Sequence, residues 1–150
     1  MEKNPTIRLY SKTDKEELLK IFNLNTPAYF SPEEEIEFTH YLDNEIELYY
    51  IIEVDNQVVG AGGINFTDDK KIGKISWDLI HPDFQGKALG SKLLNHRIEK
   101  LKEFKDVQQI IVRTSQLVYP FYEKLGFELL EIIEDYWAEG YDLYTMGYKK

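Results

Sequence analysis

The chain has no cysteine among its 150 residues, which excludes disulfides, thiolate metal sites, redox pairs and any acyl group carried on a cysteine. Histidine is scarce. Only His40, His81 and His96 occur, no two with the His-x-x-x-His spacing of a helical metal pair, so no metal is expected. Basic side chains are in deficit, 18 against 27 acidic, for a formal charge of −9. That balance argues against a broad nucleic-acid surface, which needs clustered Lys and Arg, and favours a neutral or cationic partner. No apolar run approaches membrane-spanning length, and the opening residues MEKNPTIRLY hold no apolar signal core. No membrane contact is expected, and the composition is compatible with a cytoplasmic protein. Repeats, low-complexity tracts and Pro/Gly/Ser-rich linkers are missing too, so residues 1–150 read as a single domain.

What is present is globular: 43% hydrophobic and 14% aromatic, in a chain long enough to bury roughly 70% of its unfolded surface. Thr6 to Tyr10 reads as a short strand. Thr13-Asp14-Lys15-Glu16 reads as a capping box opening a helix with Leu18, Leu19 and Phe22. Ser31-Pro32-Glu33-Glu34 starts a second helix, with Ile36, Phe38, Tyr41 and Leu42 as its apolar stripe. The period then becomes strand-like. Leu48 to Ile52 is nearly continuous in apolar residues, as a strand covered on both faces would be. Strands follow at Val58 to Phe66 and Lys74 to Ile80. A helix from Lys87 carries Leu89, Leu93, Leu94, Ile98 and Leu101, and Val107 to Arg113 is a strand. Pro120 to Leu125 is a short helix ending at Gly126, before strands at Phe127 to Ile133 and Leu143 to Tyr148. The order β-α-α-β-β-β-α-β-α-β-β is mixed α/β (α+β): a mostly antiparallel sheet flanked by helices, with a βαβ crossover.

The richest segment runs from Ile80 through His81-Pro82-Asp83-Phe84-Gln85-Gly86-Lys87-Ala88-Leu89-Gly90-Ser91 to Leu94. A strand ends, small residues turn the chain, and a long helix begins. Such a turn offers backbone N–H groups at the positive end of a helix dipole, a setting for an anion. Gly86, Ala88 and Gly90 allow close approach to the backbone, and Lys87 and Lys92 add positive charge. On spacing alone the segment is equally an ordinary strand-to-helix turn. Neither the P-loop nor the Gly-x-Gly-x-x-Gly dinucleotide pattern is present.

The segment resembles the signature of the GNAT superfamily of N-acetyltransferases, Gln/Arg-x-x-Gly-x-Gly/Ala, here Gln85-x-x-Ala88-x-Gly90. It departs at Ala88, where that family usually has Gly. Tyr119-Pro120-Phe121-Tyr122-Glu123-Lys124-Leu125-Gly126-Phe127 resembles the family's "FYEK-x-GF" segment. The resemblance implies a GNAT-like acyl-CoA N-acyltransferase fold. Its two strands at Lys74 to Ile80 and Val107 to Arg113 would splay around acetyl-coenzyme A as acyl donor. It also implies diphosphate contacts from Gln85, Gly86, Lys87, Ala88, Leu89, Gly90 and Ser91, and pantetheine contacts from the strand edge at Leu79 and Ile80. Ser115 stands where the family often has Asn, with Ser115 or Gln116 as substitutes for that side-chain contact to the pantetheine arm.

The implied reaction is direct attack of a primary amine on the thioester in a ternary complex. The N–H near Ile80 would serve the oxyanion, and Tyr122 would be the general acid, its phenol suited to protonating a thiolate. Asp78, two residues before Ile80 and on the same face of the strand, could be general base, acceptor anchor or a structural carboxylate. The alternative is a non-catalytic acyl-coenzyme A-binding or regulatory module on the same fold. The acceptor, a small molecule or a peptide amine, is expected near Phe22, Tyr29 and Phe30. The acidic, aromatic turn from Glu134 to Asp142 is a second candidate wall for it. Exposed strand edges permit a homodimer.

Overall fold

Alternation in β-branched and aromatic runs sets the strands: β1 Thr6–Leu9, β2 Leu48–Val54, β3 Gln57–Phe66, β4 Ile72–Ile80, β5 Gln109–Thr114, β6 Phe127–Ala138 and β7 Tyr141–Tyr148. The helices are α1 Lys15–Leu24, α2 Glu34–Asn44, α3 Leu89–Leu101 and α4 Tyr119–Lys124. In this computed structural model, which describes residues 4–148, the strands form one sheet in the order β1-β2-β3-β4-β5-β7-β6. Only β4 and β5 are parallel, because α3 carries the chain over the sheet between them. Among the described residues no helix is long and apolar enough to cross a membrane.

Each face of the sheet is covered, and β2 shows how. Tyr49 and Ile51 point to α1 and α2, packing with Leu18, Ile21, Phe22, Phe38 and Leu79. Tyr50 and Ile52 point the other way, to Leu93, Leu94, Ile98 and Leu101 of α3. A strand buried on both sides needs apolar residues at consecutive positions, which is why its run is continuous.

Two local expectations change. The first helix is not opened by Thr13 and Glu16: a short 3-10 turn precedes it, and the Ser11 N–H donates to Asp14 at 2.8 Å. Arg8 holds both carboxylate oxygens of Asp14 at 2.8 Å, which fixes the capping acid two residues earlier. The turn expected from Glu134 to Asp142 narrows to Glu139-Gly140. β6 runs on to Ala138 past an irregularity where Asp135 has φ +52°. The second helix start is as expected, with the Ser31 N–H donating to Glu34 at 2.8 Å.

Tyr41, Tyr49 and Tyr122 are buried, and burial pushes each phenol above its ordinary value. Such groups stay protonated in the folded chain while the unfolded chain releases its protons, so stability is full below about pH 10 and falls as pH rises above it. The expected loss is up to about 4 kcal/mol per pH unit for three such groups, from about 1.4 for each. Urea unfolding between pH 9 and 11 checks it; a flat midpoint would contradict it.

Candidate active site

The parallel pairing of β4 and β5 runs from Ile72↔Gln109 to Ile75↔Val112 and stops there, although β4 continues to Ile80. The parting coincides with a bulge. On β3, Ala61 faces Leu79 and Gly63 faces Ser76, so β4 carries an extra residue opposite Gly62, and Trp77 takes φ +47°. The bulge shifts the alternation by one residue, so Leu79 packs on the α1/α2 side although Ile75, four residues earlier, packs on the α3 side. Trp77 joins the aromatic group beneath α2, 5.0 Å from Phe38 and 6.2 Å from Tyr41 between ring centroids. Asp78 turns towards α3 and α4, where it pairs with Arg97 and accepts a hydrogen bond from the Tyr122 hydroxyl.

Beyond the bulge the backbone of β4 divides its bonds. The His81 N–H donates to the Val59 C=O at 2.7 Å, so by alternation the Ile80 amide groups face the cleft and those of Leu79 face β3. The Ile80 C=O is already taken, by Asn25 Nδ2 and Gln85 Nε2, each at 3.1 Å. Gln85 Nε2 also donates to Asn25 Oδ1 at 2.9 Å. Gln85 therefore ties the loop to β4 and to the end of α1. Its partner Asn25 carries no motif and was not legible beforehand.

The loop then turns through Gly86 (φ +78°) and Ala88 (φ +63°) into α3. No side chain caps this helix and its first turn holds no acid, whereas α1 and α2 begin with two and three acidic residues. The free N–H groups of α3 thus meet the cleft with their positive end unopposed. Ala88 pays a steric cost here: the left-handed region puts a Cβ against the following carbonyl, about 1–2 kcal/mol for an L-residue. Ala88→Gly should accordingly raise stability by about 0.5–1 kcal/mol once glycine's greater unfolded-state freedom is counted. Chemical denaturation reads this, and a destabilised variant would be the contrary result.

These features meet in one cavity of about 980 Å³. Its walls include Asp78, Leu79, Ile80, Gln85, Gly86, Ala88 to Ser91, Ser115 and Tyr122. Within Gln85 to Ser91, Lys87 is the one residue not on these walls; its ammonium lies 5.2 Å over the Phe84 ring. Ser115 is buried, its hydroxyl accepting from the Leu117 N–H at 3.2 Å. Gln116 is spent on the β6–β7 hairpin, bonding the Gly140 C=O at 2.7 Å and the Asp142 N–H at 2.9 Å.

The far half of the cavity is lined by Tyr29, Phe30, Trp77 and Tyr141 with the carboxylates of Glu34, Glu45 and Glu47. Phe22 is not on the wall; it lies in the core, stacked 4.7 Å from Phe30. Asp135 and Asp142 instead bond amides of their own hairpin, so the hairpin contributes Trp137 and Tyr141 rather than charge. Tyr141 spans the gap to donate to the Pro27 C=O at 2.8 Å.

Arg97 is the residue that sequence reading missed. It is 0% exposed in the middle of α3, donating from Nη1 to the Gly63 C=O at 3.1 Å and from Nε to the Leu93 C=O at 3.2 Å, with Nη2 on Asp78. A Cβ on Gly62 would overlap Asp78 and lie 2.7 Å from Arg97 Cζ; glycine is required there for space. Burial, together with the Asp78 charge, holds the Tyr122 phenol well above its ordinary value.

A splayed parallel pair leading to an uncapped helix, with a buried tyrosine at the opening, is the cleft geometry that the resemblance to the GNAT superfamily implied. The chain belongs to the acetyltransferase (GNAT) family, whose model matches residues 16–127. It is 28% identical over 134 residues to the amino-acid acetyltransferase of Pasteurella multocida (strain Pm70), covering 89% of this chain but 29% of that protein. The chain thus spans less than a third of that curated relative's length. A crystal structure assigned to the GNAT family from Desulfovibrio desulfuricans superposes with a TM-score of 0.81 at 17% identity, over 97% of this chain and 99% of that one. The yncA protein of Salmonella typhimurium, solved with its cofactor acetyl-CoA, gives 0.73 at 19% identity, over 97% and 94%.

Proposed function

We propose that this domain transfers an acetyl group from acetyl-coenzyme A to a primary amine by direct attack within a ternary complex. The observation that carries the reading is the continuity of one cavity from the uncapped start of α3, along the open edge of β4, to Tyr122 and Asp78. The residues fit the donor. The α3 amides and the turn at Gly86 suit a diphosphate, and the cleft between β4 and β5 has room for an extended arm beside Ile80, whose C=O is held by Asn25 and Gln85 and whose N–H stays free. Ser115 stands on the same wall. The bound thioester supplies the activated acetyl group and a thiolate leaving group. The Ile80 N–H, pointing into the cleft, stabilises the oxyanion, and the Tyr122 hydroxyl supplies the proton for sulfur.

The acceptor half, with its carboxylates and aromatic faces, favours a protonated amine over an anion. Nucleic acid and membrane are not partners in this reading, and the site of action is the cytoplasm. The edge strand β6, with Leu130 51% and Ile132 47% exposed, supports a homodimer. The functional test is thiol release from acetyl-coenzyme A over a panel holding a polyamine, an aminoglycoside, amino acids and an N-terminal peptide. Amine-dependent release supports the transferase. Tight donor binding with no release for any amine favours a non-catalytic acyl-coenzyme A module.

A further inference from the structure

The carboxylate of Asp78 serves two masters. One oxygen faces inward to Arg97, which has no other counter-ion within bonding distance among the described residues, and the other holds the hydroxyl of Tyr122. A phenol has a single hydrogen. While that hydrogen lies on Asp78, Tyr122 shows the cleft only lone pairs, the wrong polarity for protonating a leaving thiolate. Nor is Asp78 suited to act as the base, because protonating it would leave a fully buried guanidinium without its partner. Asp78 also lines the cavity and its side chain is 19% exposed while the oxygen on Arg97 is buried, so the oxygen bonded to Tyr122 is the one a ligand reaches, and a cationic donor there competes with the weaker neutral hydroxyl. The same cavity is lined by the carboxylates of Glu34, Glu45 and Glu47 and by two cations, Lys74 and Arg113.

Resting on the acetyltransferase reading above, we propose that Asp78 is the anchor for the acceptor's ammonium group, and that occupying it releases Tyr122. Arg97 is the positioning residue that keeps Asp78 ionised and aimed. A cationic amine takes the outer oxygen of Asp78, the Tyr122 hydroxyl is freed to turn to the sulfur, and the acid is armed only when an acceptor is present. The protons balance. The amine, having lost its first proton to solvent, forms the N–C bond and the C–S bond breaks. Sulfur takes the Tyr122 proton, and the phenolate takes the second proton from the new amide nitrogen. Water, a neutral donor like the hydroxyl it would have to displace, gains no charge-assisted advantage at Asp78, so hydrolysis of the donor finds the acid mostly turned away.

The test compares amine-dependent thiol release, using the panel amine of highest turnover, with release when no amine is added. In Asp78→Asn the first should fall and the second rise, so that their ratio drops on the order of 10²-fold. A merely structural defect lowers both together, and that parallel fall would overturn the inference while leaving the transferase reading intact. Should Asp78→Asn fail to fold, the double variant Asp78→Asn, Arg97→Met strands no buried charge and must show the same drop. Arg97→Lys, which keeps the charge, should retain most of the wild-type ratio. Proton NMR gives a readout without turnover. The Tyr122 hydroxyl signal, assigned by its loss in Tyr122→Phe, should lie downfield in the complex with coenzyme A and shift when the same amine is added. A signal that the amine leaves unmoved contradicts the release step. Absence of amine-dependent release in the wild type removes the transferase reading itself, and the inference with it.

Discussion

Tyr122→Phe is expected to lower turnover by on the order of 10²-fold or more, about 2.7 kcal/mol of transition-state stabilisation, with little change in donor affinity. The ring occupies a packed site, 5.0 Å from Phe121 and 5.7 Å from Phe127 between centroids, and phenylalanine preserves those contacts. The lost hydroxyl exposes one oxygen of Asp78 to the cleft, where water replaces it. Stability should therefore change little while the chemical step suffers. Steady-state kinetics with direct measurement of donor binding separate the two. An unchanged rate would remove Tyr122 as the acid.

Arg97→Met should have the largest effect on the fold, a loss of about 3–5 kcal/mol. Methionine fills the volume but leaves Asp78 without the charge that balances it and the Gly63 C=O without a donor. Breaking one half of a buried pair is far costlier than replacing both halves. Adding Asp78→Ala to Arg97→Met should hence recover most of the loss. Urea unfolding of the wild type, Arg97→Met, Asp78→Ala and the double variant forms a closed cycle. A double variant no more stable than Arg97→Met would show that the guanidinium is held by its carbonyl contacts rather than by Asp78.

The parts of the site written in short stretches of chain were legible. Gln85 to Ser91 declares a turn into a helix through its small residues, and Tyr119 to Phe127 places a tyrosine, a short helix and a stop at Gly126. Both are local chemistry, and the structure puts them on one cavity. What depended on pairing across the sheet was not legible. The bulge at Trp77 arises from how β4 meets β3, and no residue count within β4 announces it. Asn25 reaches Gln85 across 60 positions.

Arg97 is a different case, because its signal was present. Leu93, Arg97 and Leu101 are spaced i, i+4, i+8 on the buried face of α3, and a charge in such a stripe demands a partner. Gly62 was the second half of that signal, a missing side chain where the partner had to fit. The acidic hairpin failed for the opposite reason. Its carboxylates looked free in sequence, but Asp142 accepts from the Asp135 N–H on the facing strand and Asp135 from the Gly140 N–H of the turn.

The account stands on the donor lying along the β4 edge with its diphosphate on α3. A crystal structure of the protein soaked in acetyl-coenzyme A tests this most directly. The expected result is diphosphate density on the amides between Gly86 and Ser91, with the thioester carbonyl facing the Ile80 N–H and its sulfur beside Tyr122. An empty cleft at saturating donor, or a donor bound elsewhere on the surface, would contradict it.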